Sequence, residues 1–273
     1  MVTVAQEKDL ESVVLTFFPH PRMVLQTDSN IKLINTIKEK ETILKQFGVS
    51  RLEVNPFTKE FSRLTAEEFV EQILVNQLNV SHVIIGYDHH FGRNRTANID
   101  DLKRFGEQFG FTVQEISAQD INDVAVSSTK IRTALDEGDI TTANLYLNYN
   151  YQLTGTVVKG KGIGNTINFP TANIKIDEDY KLIPKEGVYV VKTLINGKQV
   201  YGMMNIGYNP TVNGTEKSTE VHLFDFNGDL YGQTLSISVL KRLRDEVKFD
   251  SIETLKKQLQ KDQENALEFI ANA

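Results

Sequence analysis

Between Gly155 and Asn173 the chain reads GTVVKGKGIGNTINFPTAN, a strand-like start that enters a loop with glycines at 160, 162 and 164 and closes on Pro170-Thr171-Ala172-Asn173. Residue types in this order suit a phosphate group. Glycines let backbone N–H groups turn toward a polyphosphate at close range, and a hydroxyl and an amide oxygen two residues apart can face one Mg²⁺ ion held against the phosphates. The loop is not a Walker A sequence, because no Gly-Lys-Ser/Thr follows at the required spacing and a strand, not a helix, is predicted after it. Phosphorylating an alcohol also needs a group to accept the hydroxyl proton. Glu220, on a predicted strand 47 positions beyond Asn173, is a carboxylate suited to that task. A solvated strand glutamate is the competing reading of the same residue.

Other segments could hold an anion. Ser127-Ser128-Thr129 precede a helical stretch, KIRTALDEG, that stops near Gly138. Hydroxyls and free N–H groups at a helix start attract anions, and Arg132 adds charge, although a plain N-cap accounts for the serines equally well. Lys241-Arg242-Leu243-Arg244 is a local basic cluster with the same capacity. Tyr189 and Tyr231 admit both ring stacking and ordinary strand packing. His222 alternates to the same face as Glu220, and a lone strand histidine of this kind is assigned to packing.

Two patterns of elements must position these groups. Before residue 150, short apolar runs alternate with amphipathic helices: VVLTFF (13–18), a helix around 36–47 stopped by Gly48, RLEV (51–54), a helix opened by Thr65, VIIGYD (83–88), a helix near 99–108, FTVQEI (111–116) and a helix after Ser127. Thr65-x-x-Glu68 has capping-box spacing. Such alternation predicts a parallel sheet covered on both faces. After residue 150 the period becomes two. Asn196-Gly197 and Asn227-Gly228 each stand between strand-like runs and read as type I′ hairpins, so this half is predicted to be an antiparallel barrel or sandwich. It ends in a helix for which Asp250-x-x-Glu253 offers a cap and Ile252, Leu255, Leu259, Ala266 and Ile270 an apolar face. The expected domains are 1–147 and 151–273, joined by the short connection Leu147-Asn148-Tyr149-Asn150.

Composition narrows the function classes. With 273 residues, of which 40% are apolar, the chain can fill two cores. No apolar run approaches the roughly 18 residues that span a bilayer, and MVTVAQEKDL lacks the pattern of a signal peptide, so the expected setting is cytoplasmic. Zero cysteines exclude disulfides, thiolate catalysis and zinc–thiolate sites. Thirty basic residues against 36 acidic ones, a net charge of −6, offer no overall attraction for nucleic acid. The expected partners are small molecules, with neither nucleic acid nor membrane, and self-association stays open.

The glycine loop followed by PTAN resembles the signature of riboflavin kinases, including the kinase half of the bacterial bifunctional riboflavin kinase/FMN adenylyltransferase (FAD synthetase) family. STEVHLFDFNGDLYG (218–232) is similar to the part of those enzymes that supplies the catalytic glutamate. The resemblance implies that Glu220 is catalytic, that Thr171 and Asn173 contact Mg²⁺ and the ATP phosphates, and that Gly160, Lys161, Gly162 and Gly164 form a mobile phosphate-covering loop. KRLRDEVKFDS (241–251) is similar to the loop before the C-terminal helix that helps enclose the flavin, which implies contacts from Arg244, Asp245 and Phe249. ATP is then the co-substrate, and riboflavin and FMN are substrate and product.

The first half resembles the same family through LTFFPHP (15–21), NPF (55–57), GYDHHFGRNR (86–95) and VSSTKIR (126–132). This implies a Rossmann-like nucleotidyltransferase domain in which Ser127, Ser128, Thr129 and Arg132 contact the ATP triphosphate. The chain departs from the pattern in one respect. Its histidines stand only at 20, 82, 89, 90 and 222, and none is arranged as the His-x-Gly-His of such enzymes. MVTVAQEKDLES looks like the tail of the family's first helix, so about 30 residues, including an inner strand, would be missing. Adenylyl transfer is therefore expected to be severely impaired and the first domain less stable than in complete relatives. A truncated gene product and a start set too late both account for this. A fully bifunctional enzyme and a non-catalytic flavin or nucleotide sensor are the alternative readings of the whole.

Overall fold

The computed structural model describes residues 1–26, 30–86, 89–116, 120–121, 124–160, 164, 167–211 and 214–272. They form two compact units, one of residues 1–31 with 40–126, the other of residues 32–39 with 127–273. No helix among the described residues is long and apolar enough to cross a membrane.

In the first unit, β1 (Val13–Phe18) runs parallel to β2 (Arg51–Pro56), and β3 (His82–Gly86) runs parallel to β4 (Thr112–Ile116). A short antiparallel pair, β5 (Asp120–Ile121) and β6 (Val124–Ala125), follows. The helices are α1 (Val2–Glu7), α2 (Pro21–Leu25), α3 (Ile37–Gln46, of which residues 37–39 belong to the second unit), α4 (Ala66–Phe69) and α5 (Ile99–Phe109). Thr65 and Glu68 form the expected capping box, with the Thr65 amide donating to Glu68 Oε2 at 2.8 Å and the Glu68 amide to Thr65 Oγ1 at 3.2 Å. The helix they open widens at once into a π-helix over Val70–Gln77, a feature that apolar spacing does not register. Val70, Leu74, Phe91, Ala97, Leu102 and Phe111 form the core on which Leu15, Val83, Ile85 and Val113 pack.

The parallel strands do not make one continuous sheet among the described residues; each pair stands alone. Between β1 and β3 lies a cleft of about 570 Å³, lined by Val13, Val14 and Leu15 on one side and Val83, Ile84 and Ile85 on the other. Every residue of β1 and of β3 is only half-buried, although an inner strand of a sheet covered on both faces buries its apolar side chains.

The second unit is built on a closed barrel of six strands: β7 (Gln152–Val158), β8 (Ala172–Lys175), β9 (Gly187–Ile195), β10 (Lys198–Thr211), β11 (Gly214–Leu223) and β12 (Thr234–Arg244), in the order β10-β11-β8-β7-β12-β9. Every pairing is antiparallel. Alternation along β7 buries Leu153 and Val157, and Tyr189, Val191, Met204, Ile206, Ile237 and Val239 on the other strands are fully buried as well. α6 (Ser128–Glu137) and α7 (Ile140–Leu147) belong to this unit: Asn144 Nδ2 donates to the Val239 carbonyl at 2.9 Å and the Lys185 amide to the Leu135 carbonyl at 3.0 Å.

Asn196-Gly197 is the predicted hairpin: both residues have positive φ, 51° and 76°, and β9 pairs with β10 across them. Asn227-Gly228 is not one. β11 pairs with β10 and β8, and β12 with β9 and β7, so the two strands flanking this dipeptide go to different neighbours of the barrel. Neither residue has positive φ. Gly228 is small because a Cβ there would press on the Phe226 ring.

The terminal helix α8 (Ile252–Ala271) is capped by Ser251, which accepts from the Thr254 amide at 3.2 Å, and not by Asp250. Ala266 is buried with Ile167, Phe169, Val188, Val190, Met203 and Phe224, and Leu255, Leu259 and Ile270 pack alongside. Ile252, expected on the same apolar face, is 61% exposed because it opens the first turn, beyond that cluster.

Candidate active site

Three antiparallel strands carry the site. In register, Glu220 on β11 lies opposite Asn205 on β10 and opposite Asn173 on β8. Opposed residues of paired strands share a face, and β11 turns Thr219 and Val221 to the other side, where they are buried. Glu220, Asn205 and Asn173 therefore form a row of half-buried oxygen- and amide-bearing side chains across the outside of the barrel. The Thr171 hydroxyl, just before β8, donates to Glu220 Oε2 at 3.3 Å.

The glycines at 160 and 164 are small for a reason the coordinates make plain. A Cβ on Gly160 would collide with the Asn173 carboxamide, and one on Gly164 with the Phe169 carbonyl oxygen, Thr171 Oγ1 being the next neighbour at 3.4 Å. The Phe169 amide donates to the Gly164 carbonyl at 2.9 Å, which ties the loop back to the residues before Thr171. Gly160, Gly164, Thr171 and Asn173, all from one stretch of chain, are thus brought together with Glu220 from β11. Lys161 and Gly162 lie outside the described residues. The donor set of a hydroxyl, a carboxamide oxygen and a carboxylate is the hard-oxygen chemistry that Mg²⁺ takes, an ion that binds through one or two protein oxygens and completes its shell with water and phosphate.

Residues 244–249 stand differently. Arg244 makes a forked bond to Asp262 of α8, Nε to Oδ1 at 2.9 Å and Nη2 to Oδ2 at 2.7 Å, and Asp262 is 1% exposed. Its guanidinium also stacks 5.9 Å from the Phe249 ring. Arg244 and Phe249 are thereby engaged with the chain itself, fastening the end of β12 to the terminal helix. Asp245 is exposed and bonded to Arg242 at 2.7 Å, which holds its carboxyl below the usual range. The same loop places Glu246 against Gly207, where a Cβ would strike the carboxylate, with the Asn205 amide 3.1 Å from that point. Sequence reading missed both Asn205 and Glu246. The available signal for Asn205 is a lone polar residue inside the apolar run GMMNIG; nothing in a charged loop marks Glu246.

Of the two tyrosines, Tyr189 is fully buried, its hydroxyl bonded to the Lys185 carbonyl, and so serves packing; Tyr231 is exposed. Ser127 is the N-cap of α6 and accepts from the Lys130 amide at 3.3 Å, and Ser128 and Thr129 are exposed in the first turn. Arg132 Nε donates to the Lys32 carbonyl at 3.1 Å. Of GYDHHFGRNR, Tyr87 and Asp88 lie outside the described residues.

Comparison with known proteins places the chain in a family. A riboflavin kinase family model matches residues 147–270, and an FAD synthetase family model matches residues 1–130. The bifunctional riboflavin kinase/FMN adenylyltransferase of Listeria monocytogenes is 39% identical over 98% of this chain and 85% of its own length; that of Bacillus subtilis is 38% identical with the same coverage. A crystal structure from Streptococcus pneumoniae, named as a macrolide-efflux protein, superposes with a TM-score of 0.86 at 34% identity, over 96% of this chain and 85% of that one. With a kinase-type half, an FAD-synthetase-type half and this degree of identity along nearly the whole chain, the protein belongs to the bifunctional riboflavin kinase/FMN adenylyltransferase family.

Proposed function

We propose that the barrel unit transfers the ATP γ-phosphate to the riboflavin 5′-hydroxyl, giving FMN and ADP. The observation that carries this reading is the meeting of Glu220 with Thr171 and Asn173 beside a backbone made bare by glycine. Glu220 accepts the proton of the attacking hydroxyl. Thr171 and Asn173 hold the Mg²⁺·ATP terminus through their side-chain oxygens, and the loop that includes Gly160 and Gly164 covers the phosphates and excludes water, which limits idle ATP hydrolysis. Magnesium, when bound there, neutralises charge on the phosphate oxygens. A cytoplasmic setting, where ATP is supplied, fits this chemistry.

The FAD-synthetase-type half favours a second activity, adenylyl transfer to FMN. These 273 residues contain no His-x-Gly-His, and loss of such a stabiliser of transition-state charge typically costs about 10²–10³ in rate. Incubated with ATP, Mg²⁺ and riboflavin, the purified chain should produce FMN and ADP in equal amounts, with FAD and pyrophosphate lagging far behind. A folded protein that forms no FMN would refute the kinase reading, and FAD accumulating as fast as FMN would refute the impairment.

Gly160→Ala gives a test of the loop. The added methyl must displace the Asn173 carboxamide, so affinity for Mg²⁺·ATP should fall about tenfold, in line with the cost of misplacing a positioning group. The thermal midpoint of the barrel should stay put, since Gly160 lies beyond β7. An unchanged KM for ATP would count against Asn173 as a nucleotide contact.

A further inference from the structure

His222 stands two residues beyond Glu220 on the same face of β11. Its ring centroid lies 5.2 Å from that of Phe169 and 5.8 Å from that of Phe224, which is the packing role expected of it. It also does something packing does not require: Nδ1 sits 2.7 Å from the carbonyl oxygen of Pro170. A carbonyl can only accept, so the proton of this bond resides on Nδ1. Pro170 has no N–H of its own, and its carbonyl is the one backbone group by which it can be held.

Pro170 is the link between the two parts of the site. On one side it joins Thr171, whose hydroxyl reaches Glu220. On the other it joins Phe169, whose amide is bonded to Gly164 of the glycine loop. A single imidazole on the strand of the base therefore fastens the peptide that connects base, hydroxyl and loop.

We propose that His222 is a positioning residue for phosphoryl transfer: its Nδ1–H bond to Pro170 sets where Thr171 and the end of the glycine loop stand relative to Glu220. The inference rests on the kinase reading of this site. Packing and positioning make opposite demands on substitutions. His222→Phe keeps an aromatic ring between Phe169 and Phe224 and removes the donor. His222→Asn removes the ring and keeps an N–H donor close to the place of Nδ1.

Steady-state kinetics of both variants, with thermal unfolding as a check on folding, separate the two roles. Positioning predicts that His222→Phe loses about tenfold or more in kcat/KM for Mg²⁺·ATP, while His222→Asn stays within about threefold of the unmutated chain. His222→Phe near the unmutated rate, or His222→Asn impaired as much as His222→Phe, would overturn the proposal. A second measurement does not depend on turnover: the ¹⁵N spectrum of the unmutated protein should show His222 as the Nδ1–H tautomer, and an Nε2–H tautomer would overturn the proposal even if FMN is made. A Glu220→Gln variant in the same assay keeps the outcomes apart, because failure of the kinase reading shows in that control and failure of the positioning role does not.

Discussion

Glu220→Gln should lower FMN formation by about 10²–10⁴-fold, the usual worth of a general base. Glutamine keeps the length of the side chain and an oxygen that can accept from Thr171, so the bond seen at 3.3 Å has a replacement and β11 keeps its register with β8 and β10. What it lacks is a lone pair basic enough to take the hydroxyl proton. The loss is therefore expected in kcat, with KM for ATP within a few fold, measured by FMN production under saturating riboflavin. A folded variant retaining more than a tenth of the original turnover would remove Glu220 from the role of base.

The second large effect concerns stability. Lys181 and Glu39 are buried together, their side chains 0% and 1% exposed, with Nζ 2.5 Å from Oε2. The ammonium also donates to the Ile34 carbonyl at 2.7 Å and lies 4.4 Å from the centroid of the Tyr151 ring. Glu39 accepts from the amides of Thr36 and Thr154, each at 2.9 Å, so this carboxylate ties residues 32–39 to the first strand of the barrel. Removing one partner of a buried, hydrogen-bonded pair typically costs about 3–5 kcal/mol, because the other charge is left uncompensated. Glu39→Gln is expected to fall in that range, read by denaturant unfolding of the second unit.

The pH dependence has a definite sign. Burial lowers the Lys181 ammonium to about 8, and Glu39 opposes that fall. An unfolded lysine holds its proton to higher pH, so above about 8 the unfolded state binds more protons and stability rises with pH. In Glu39→Gln the opposing carboxylate is gone and the lysine titrates lower still. The deficit of the variant should therefore narrow as pH rises toward 8 and level off above it. A deficit under 1 kcal/mol, or one that widens over that range, would show that the pair is not the anchor described.

The parts of this molecule legible in the sequence are those set by short-range physics. Thr65-x-x-Glu68 announces its capping box and Asn196-Gly197 its turn, because each needs only neighbouring atoms. The capping box of Thr36 and Glu39 has the same spelling, with the Glu39 amide 3.1 Å from Thr36 Oγ1, yet the second task of that glutamate was hidden: Lys181 is 142 positions away. Asn227-Gly228 misled for a related reason, since barrel closure and not the dipeptide decides which strands pair. The candidate site divides in the same way. PTAN and its glycines are legible as a local pattern, but the bond between Thr171 and Glu220 exists because β8 and β11 became neighbours, and the pairing of β11 with β10 brings Asn205 into the row. Arg244 shows the limit in the other direction, its charge engaged by Asp262 at a buried point that the helix pattern does not disclose.

The cleft between β1 and β3 has a consequence for how the chain meets other chains. In the barrel every strand has two neighbours, although β11 pairs with β8 only at Glu220 and Val221 and β10 with β9 only over residues 198–206. In the first unit β1 and β3 each have one paired neighbour among the described residues, and both line the cleft, so backbone groups on one edge of each strand are left without a strand partner. Short, singly paired strands of this kind are where strand addition from another chain is met, and in the first unit they flank the cleft.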